Sequence, residues 1–476
     1  MFDVIVVGGG VIGGAILREL TKYHLNVCLL EKEEDVAMGQ SKANSGIVHA
    51  GFDAKCGTLK AKFNLIGNAM MEAYAKELGV KFIRNGSLVV AFSKEEIETL
   101  KQLKERGEEN GVPNLNILTR EQLLKLEPSI SSDAMGALYA PTGGIVCPYK
   151  LTIASIGNAM DNGAKLFLGF KVSKIEKENR VFNVFSEKGE KVSGKLIINC
   201  AGIYSQEIAN LAGDFSFTIG GRKGEYILLD KECGNFVKST LFFAPTELGK
   251  GILVSPTVDG NILLGPTAEV VLDKNVETSV LGLKQVQEKA KKMCEKIPLD
   301  KTITSFAGTR AYCDRNDFII EESNVIKGLI NVSGIESPGL TSAPAIAKYV
   351  VTELVVNHIE LNENKNFNGI RRPDDFFSSL SIREKNEIIK KEPSYGRMVC
   401  RCEKITEGEI VYAIRTNPKA TNVDAVKRRT RAGMGRCQGG FCQIAVAELI
   451  AKEQNITIDK VTKNGGESYL VKGVTK

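Results

Sequence analysis

This sequence contains no apolar run approaching the ~18 residues that a membrane-spanning helix needs, so no transmembrane segment is expected. No basic segment leading into an apolar one precedes the first strand-like stretch, which begins almost at Met1. A secretory signal is therefore not expected, and the chain reads as cytoplasmic, with peripheral membrane contact left open. Internal repeats and low-complexity tracts are absent. Histidine is scarce: His24, His49 and His358 are the only three in 476 residues. Eleven cysteines make an odd number, which in a chain without a signal argues against a disulfide framework. The net charge is only +6, and its excess is local: 14 of the 63 Lys and Arg, but 8 of the 57 Asp and Glu, fall from Cys400 onward. No aromatic residues interleave the basic run there, so nucleic acid is not an expected partner. What is left is an ordinary globular composition, 43% hydrophobic and 25% charged, long enough for two or three domains.

The most informative stretch runs from Asp3 to Glu31. Val4 to Val7 is a short continuous apolar run, the pattern of a strand buried on both faces. Gly8, Gly10 and Gly13 follow at the spacing of a dinucleotide-binding turn, with Val11 and Ile12 between the last two. The first glycine permits the turn, the second lets a pyrophosphate approach the backbone, and the third lets the helix pack on the strand. The helix N-terminus then offers free N–H groups to phosphate. Val27 to Leu30 is a second strand, and Glu31 at its end, followed by Lys32, can accept the ribose hydroxyls.

Farther on, Gly39 to Gly51 is rich in small and polar residues, the composition of backbone that approaches a ligand, and it contains His49. Periodicity predicts a helix over 64–78, a strand over 82–92, a charged helix over 94–110 and a short helix over 121–126 that Pro128 stops. A helix follows Pro148, the stretches 166–175 and 181–185 read as paired strands, and 195–199 is a buried strand. Strands at 224–229, 251–256 and 261–265 suggest an antiparallel sheet separate from the parallel one, followed by a helix over 279–297. Gly328 to Val332 leads into Gly334-Ile335-Glu336-Ser337-Pro338-Gly339-Leu340-Thr341 and an apolar helix, a second strand–glycine turn–helix unit. Residues 361–398 are polar and read as a linker.

Seven cysteines are scattered and read as buried thiols or bystanders. The other four, Cys400, Cys402, Cys437 and Cys442, form Cys-x-Cys and Cys-x4-Cys pairs, and four thiolates suit zinc or an iron–sulfur cluster. Zinc knuckles use Cys-x2–4-Cys pairs, so Cys-x-Cys favours the cluster. Thr406 and Glu409 have capping-box spacing, and Thr421 is a second cap candidate before Asp424. Lys427, Arg428, Arg429, Arg431 and Arg436 stand just before Cys437, where they could offset the cluster's negative charge.

Together the glycine turn, Asn44-Ser45-Gly46-Ile47-Val48-His49-Ala50-Gly51, Asn199-Cys200-Ala201-Gly202, Gly308-Thr309-Arg310 and the 334–341 segment resemble the D-amino-acid-oxidase-like FAD oxidoreductases over roughly residues 1–360. The Asn-x-Gly-x-x-His-x-Gly segment resembles glycerol-3-phosphate and L-2-hydroxyglutarate dehydrogenases. The tail resembles the bacterioferritin-associated-ferredoxin-like [2Fe–2S] domain, and the combination is similar to the anaerobic type of glycerol-3-phosphate dehydrogenase. The resemblance implies FAD rather than NAD. It also implies an α/β fold (α+β overall): a Rossmann-like FAD-binding domain (1–80, 140–215, 305–365), interleaved with an antiparallel-sheet substrate domain (81–139, 216–304). A linker (366–398) and a small helical four-cysteine domain (399–476) follow. Ser41, Asn44, Ser45 and Gly46 would line the flavin, and Val172 would touch the adenine side. Ala201 and Gly202 would pass close to the dinucleotide. Gly334, Ile335, Pro338, Gly339, Leu340 and Thr341 would meet the isoalloxazine and ribityl chain.

The expected reaction is hydride transfer from a secondary alcohol to flavin N5, which needs a base for the hydroxyl proton; His49 is the candidate. An anionic substrate needs a cation, and Arg310 is the first choice because guanidinium binds phosphate or carboxylate bidentately. Lys250, Arg222, Tyr226 and Thr257 are weaker candidates. The leading substrate is sn-glycerol 3-phosphate, giving dihydroxyacetone phosphate. L-2-hydroxyglutarate is second, an amine or amino acid third, and a non-catalytic electron-transfer module is the reading from another class. Electrons would pass to a redox subunit or to oxygen.

Overall fold

The computed structural model describes residues 1–245, 251–271 and 275–473, and every count below refers to these. Its first unit is strand β1 (Phe2–Val7), helix α1 (Val11–Leu20) and strand β2 (Val27–Leu30). β1 runs parallel to β2 on one side and to the strand Lys191–Asn199 on the other, so it sits centrally in an eight-stranded sheet. Val4, Ile5 and Val6 are fully buried, as an apolar strand covered on both faces must be. Leu329–Ser333 continues the parallel sheet from the C-terminal half of Lys191–Asn199, and the antiparallel ribbon 172–186 leaves from its N-terminal half. The predicted strand 166–175 is in fact two. Lys165–Phe167 pairs with β2 and Val172–Glu178 with Val181–Ser186, because the chain bends at Gly169 (φ +64°).

A nine-stranded, mainly antiparallel sheet stands beside this core. Its backbone is the pairing of β3 (Ile219–Leu229) with β4 (Thr302–Cys313) along their whole lengths. The expected boundary at residue 305 therefore falls inside a strand: 302–313 belongs to the antiparallel sheet, held there by β3. The predicted strand 82–92 is also broken. Phe82–Ile83 joins a three-stranded sheet with Ile47–Val48 and Gly144–Val146, and only Ser87–Ala91 enters the nine-stranded one. Helix Val280–Met293 packs Val286, Ala290 and Met293 into the core beneath that sheet.

After Leu329–Ser333 the chain turns into helix α2 (Gly339–Tyr349). The polar stretch expected as a linker is instead strapped to both the body and the tail. Arg371 and Asp374 donate their N–H groups to the carbonyls of Glu77 and Gly79, and the Arg372 guanidinium lies 3.5 Å from the centroid of the Tyr412 ring. The tail has its own apolar core around Ile410, Val426, Ala447 and Ile450. Its helix α3 (Val423–Thr430) is capped by Asn422, not Thr421: the Asn422 side chain accepts the Ala425 N–H at 2.8 Å. The Thr406–Glu409 capping box is present as spaced. No helix among the described residues is long and apolar enough to cross a membrane.

Candidate functional site

A cavity of about 820 Å³ runs from the C-terminal ends of β1 and β2 to the face of the nine-stranded sheet. Carboxyl ends of parallel strands are where open α/β sheets bind ligands, because the helix N-termini and loops converge there. At one end lie Gly8, Gly10, Val11, Ile12, Glu31 and Lys32. Gly13 is not on the wall. It sits beneath, where any Cβ would overlap the Gly8 carbonyl, so its role is helix–strand closeness. A Cβ at Gly10 would meet only Ser41 Oγ, which leaves backbone facing open space, as a diphosphate cradle requires. Glu31 is 9% exposed and accepts the N–H of Gly9 (2.7 Å) and of Glu33 (3.0 Å), one on each oxygen. Burial holds its pKa above the usual carboxylate range, while each oxygen keeps a lone pair for a ribose hydroxyl. Val172, Ala201 and Gly202 complete this end.

Toward the middle, Ser41, Asn44 and Ser45 line the cavity. Ser41 Oγ accepts the Val11 N–H at 2.9 Å, tying this segment to the first turn of α1. Asn44 folds the loop on itself: its oxygen accepts the Gly46 N–H and its amide donates to Gln40 O and Ser41 O. Gly46 lies behind the wall, with φ +67° and no room for a Cβ against Val146 O. Ile335, Pro338, Gly339 and Leu340 face the cavity from the opposite side; Gly334 and Thr341 do not. Thr341 is fully buried, and its hydroxyl accepts the His49 N–H at 2.9 Å. The His49 carbonyl is held in turn by Asn64 and Asn68, both at 3.0 Å. Thus His49 reaches the cavity on a fixed backbone, its Nε2 3.1 Å from Ser337 Oγ and its ring 6.1 Å from Phe242.

The far end is the sheet face. Register places Arg222 of β3 directly opposite Arg310 of β4, and both line the cavity. Arg310 Nη2 donates to Thr267 O at 3.2 Å, and its Nε is buried with no partner among the described residues. Arg222 contacts Glu336 at 3.4 Å, and Glu336 is shared with Lys60 at 2.8 Å. Two residues along, Gly308 faces Ala43; any side chain there would strike the Ala43 carbonyl, so the glycine brings β4 against the 39–46 loop. Tyr226 is stacked on Phe306 at 4.9 Å, and burial, opposed by Arg310, pushes its hydroxyl up to about 12, leaving a neutral donor. Thr257, expected as a weaker substrate contact, is off the cavity wall: its hydroxyl accepts the Asn261 N–H in a turn. Lys250 lies outside the described residues.

Sequence reasoning missed Gln40, Ser337 and Glu336. Gln40 bridges three segments, donating to Ile335 O and accepting the Ala311 N–H, both at 3.0 Å. Each of the three stood inside a segment already singled out, but only the fold shows which side chains turn inward.

In the tail, the four thiols gather as two pairs. Cys402 and Cys437 are 3.6 Å apart near the surface, and Cys400 and Cys442 are buried and share a hydrogen bond. That bond from Cys442 outweighs burial and draws Cys400 down to about 6. Two pairs of thiols offer two ligands to each of two irons, the donor set of a [2Fe–2S] cluster. The basic run is used differently from the expectation. Arg428 and Arg429 both bind Asp35, Arg431 binds Asp259 and Glu403, and Arg436 binds Asp230 and Glu232. Most of its charge thus joins tail to body.

Residues 3–353 match the family described as FAD dependent oxidoreductase, and residues 398–452 match the BFD-like [2Fe-2S] binding domain. A glycerol 3-phosphate dehydrogenase of Caloramator mitchellensis is 50% identical over 477 aligned positions, covering 100% of this chain and 99% of that one. A glycerol 3-phosphate oxidase of Mycoplasma genitalium is 35% identical over 77% of this chain and 98% of its own. Among solved structures, the L-alpha-glycerophosphate oxidase of Mycoplasma pneumoniae with FAD bound superposes with a TM-score of 0.75 at 32% identity, covering 78% of this chain and 98% of that one. The glycine cradle, the acid at the end of β2 and the paired thiols suit the groups these families carry, and the chain belongs to the FAD-dependent oxidoreductases, with a BFD-like [2Fe–2S] domain at its C-terminal end.

Proposed function

We propose that the protein oxidises sn-glycerol 3-phosphate to dihydroxyacetone phosphate and passes the electrons to a redox partner. The observation that carries this reading is the Arg222–Arg310 pair. Like charges directly opposite on neighbouring strands repel, so the arrangement favours an anion between them. Arg310 Nε, buried and without a partner among the described residues, leaves this guanidinium with an unused donor. A phosphate monoester carries about −1.5 to −2 charges at pH 7 on a single group with three acceptor oxygens, which two guanidiniums can share. The substrates of the relatives above agree with this assignment.

Bound FAD supplies the two-electron acceptor at its N5, and the [2Fe–2S] cluster a one-electron exit. The chain's own residues do the rest. Gly8 and Gly10 with the α1 N-terminus hold the diphosphate, and Glu31 the ribose. Arg310 and Arg222 fix the phosphate, which sets the carbinol carbon at a constant distance from the sheet face. His49 Nε2 exchanges Ser337 for the substrate hydroxyl and takes its proton as the carbon gives up hydride, leaving a ketone. Thr341, Asn64 and Asn68 keep His49 in place. The seven cysteines outside the cluster set form no disulfide, which suits a reducing cytoplasm. The exposed Cys402 turns the cluster site outward, toward a partner.

Anaerobic titration tests the reading. The flavin band near 450 nm should bleach with sn-glycerol 3-phosphate and persist with L-2-hydroxyglutarate; the reverse outcome would replace the substrate. His49→Ala should keep FAD and lose flavin reduction in a single turnover.

A further inference from the structure

We infer that the end of the chain forms part of the cofactor site, with Asn464 closing the adenosine end of the crevice while the tail is docked. Asn464 lines the same cavity as Gly10 and Glu31, although it lies beyond both family matches, which end at 353 and 452. It thus reaches this wall from a part of the chain that neither match covers.

The loop that carries it is built rather than trailing. Lys463 N–H donates to Ser468 O at 2.7 Å, Asn464 N–H to Ser468 Oγ at 3.0 Å, and Gly465 N–H to Thr462 Oγ1 at 3.1 Å. The loop is fastened to the first turn of α3. Asp424 N–H donates to Lys463 O at 2.7 Å, and Lys463 Nζ pairs with the Asp424 carboxylate at 2.9 Å. The other end of α3 carries Arg428 and Arg429, which clasp Asp35, four residues past the ribose acid Glu31. Between these anchors Gly465 packs on Glu34 so closely that a Cβ would stand 2.7 Å from the Glu34 side chain. The segment Glu31–Asp35, which shapes the adenosine end, is thus backed by the tail at both Glu34 and Asp35.

One consequence is linkage. If docking of the tail slows the loss of FAD by tightening its binding, FAD tightens docking of the tail by the same free energy. Cofactor loading then holds the cluster domain against the flavin domain.

The test uses the full-length holoenzyme and follows flavin fluorescence as FAD leaves after dilution, so it does not depend on the substrate. Asn464→Ala should release FAD roughly 3–10-fold faster, the loss of about one hydrogen bond. Asn464→Asp should be faster still at low ionic strength, since its carboxylate faces an anionic cofactor. Release at the unaltered rate from both variants would overturn the inference. Hydrogen exchange on the unaltered protein decides the matter if the variants fail to fold. The amides of Asp424, Lys463 and Asn464 should exchange more slowly with FAD bound than after its removal, and equal rates would overturn the inference.

Discussion

The crevice and the seam between body and tail are both buried, yet they are built from opposite materials. At its adenosine end the crevice rests on apolar strands and bare backbone: Val4 to Val7 beneath, Gly8 to Gly13 above, with Glu31 buried beside them. The seam is built from charge. Asp35, its side chain 2% exposed, lies between two arginines, and Arg431 between Asp259 and Glu403. Burial alone would raise the Asp35 carboxyl, but Arg429 and Arg428 overcome it and hold it below the usual range. Asp259 is lowered in the same way, against burial, by Lys150 and Arg431. Apolar burial carries no titrating group, whereas paired buried charges are costly to break singly. The difference predicts that attachment of the tail responds to pH before the core of the body does.

Asp35→Asn should have the largest effect, because it leaves two buried guanidiniums without a carboxylate. A loss of about 3–5 kcal/mol is expected in the docking of the tail, read from cluster circular dichroism during urea titration, with flavin absorbance changing later. Coincident transitions would mean that body and tail are one cooperative unit. In the crevice, Arg310→Ala should lower kcat/KM by about 10²–10³-fold while leaving the thermal midpoint of the body within a few degrees.

Acid should separate the two regions more gently. Carboxyls with depressed folded values contribute stability that is full above the unfolded pKa of about 3.9 and is lost as pH falls through the folded value. Asp35 and Asp259 are such groups, so the tail should loosen below about pH 4, before the apolar core of the body melts. Separate probes of cluster and flavin across the acid range around pH 4 check the order. The smallest effect is local: Thr406→Ala removes one half of a capping box and should cost about 1 kcal/mol, confined to the tail.

What could be read in advance follows from range. The glycine turn, Glu31 and the Cys-x-Cys and Cys-x4-Cys pairs are recognisable because each role is set by neighbours in the chain. Arg310 stood out after a glycine, but its opposite number Arg222 ranked lower, because their register joins residues 88 positions apart. Thr257, a weaker candidate beside Arg222, accepts the Asn261 N–H in a turn instead. Asp35 carried no local signal at all: an acid after β2 becomes special only when α3 brings two arginines to it.

Most of the helices and strands, the dinucleotide turn and the thiol set follow from the sequence, since these depend on periodicity, backbone freedom and ligand chemistry within short stretches. It took the packed chain to show which cations meet across the crevice, which ones fasten the tail, and that Asn464 reaches the cavity wall. Those assignments depend on distances between segments far apart in the chain, and on burial, which turns an ordinary surface charge into a paired one.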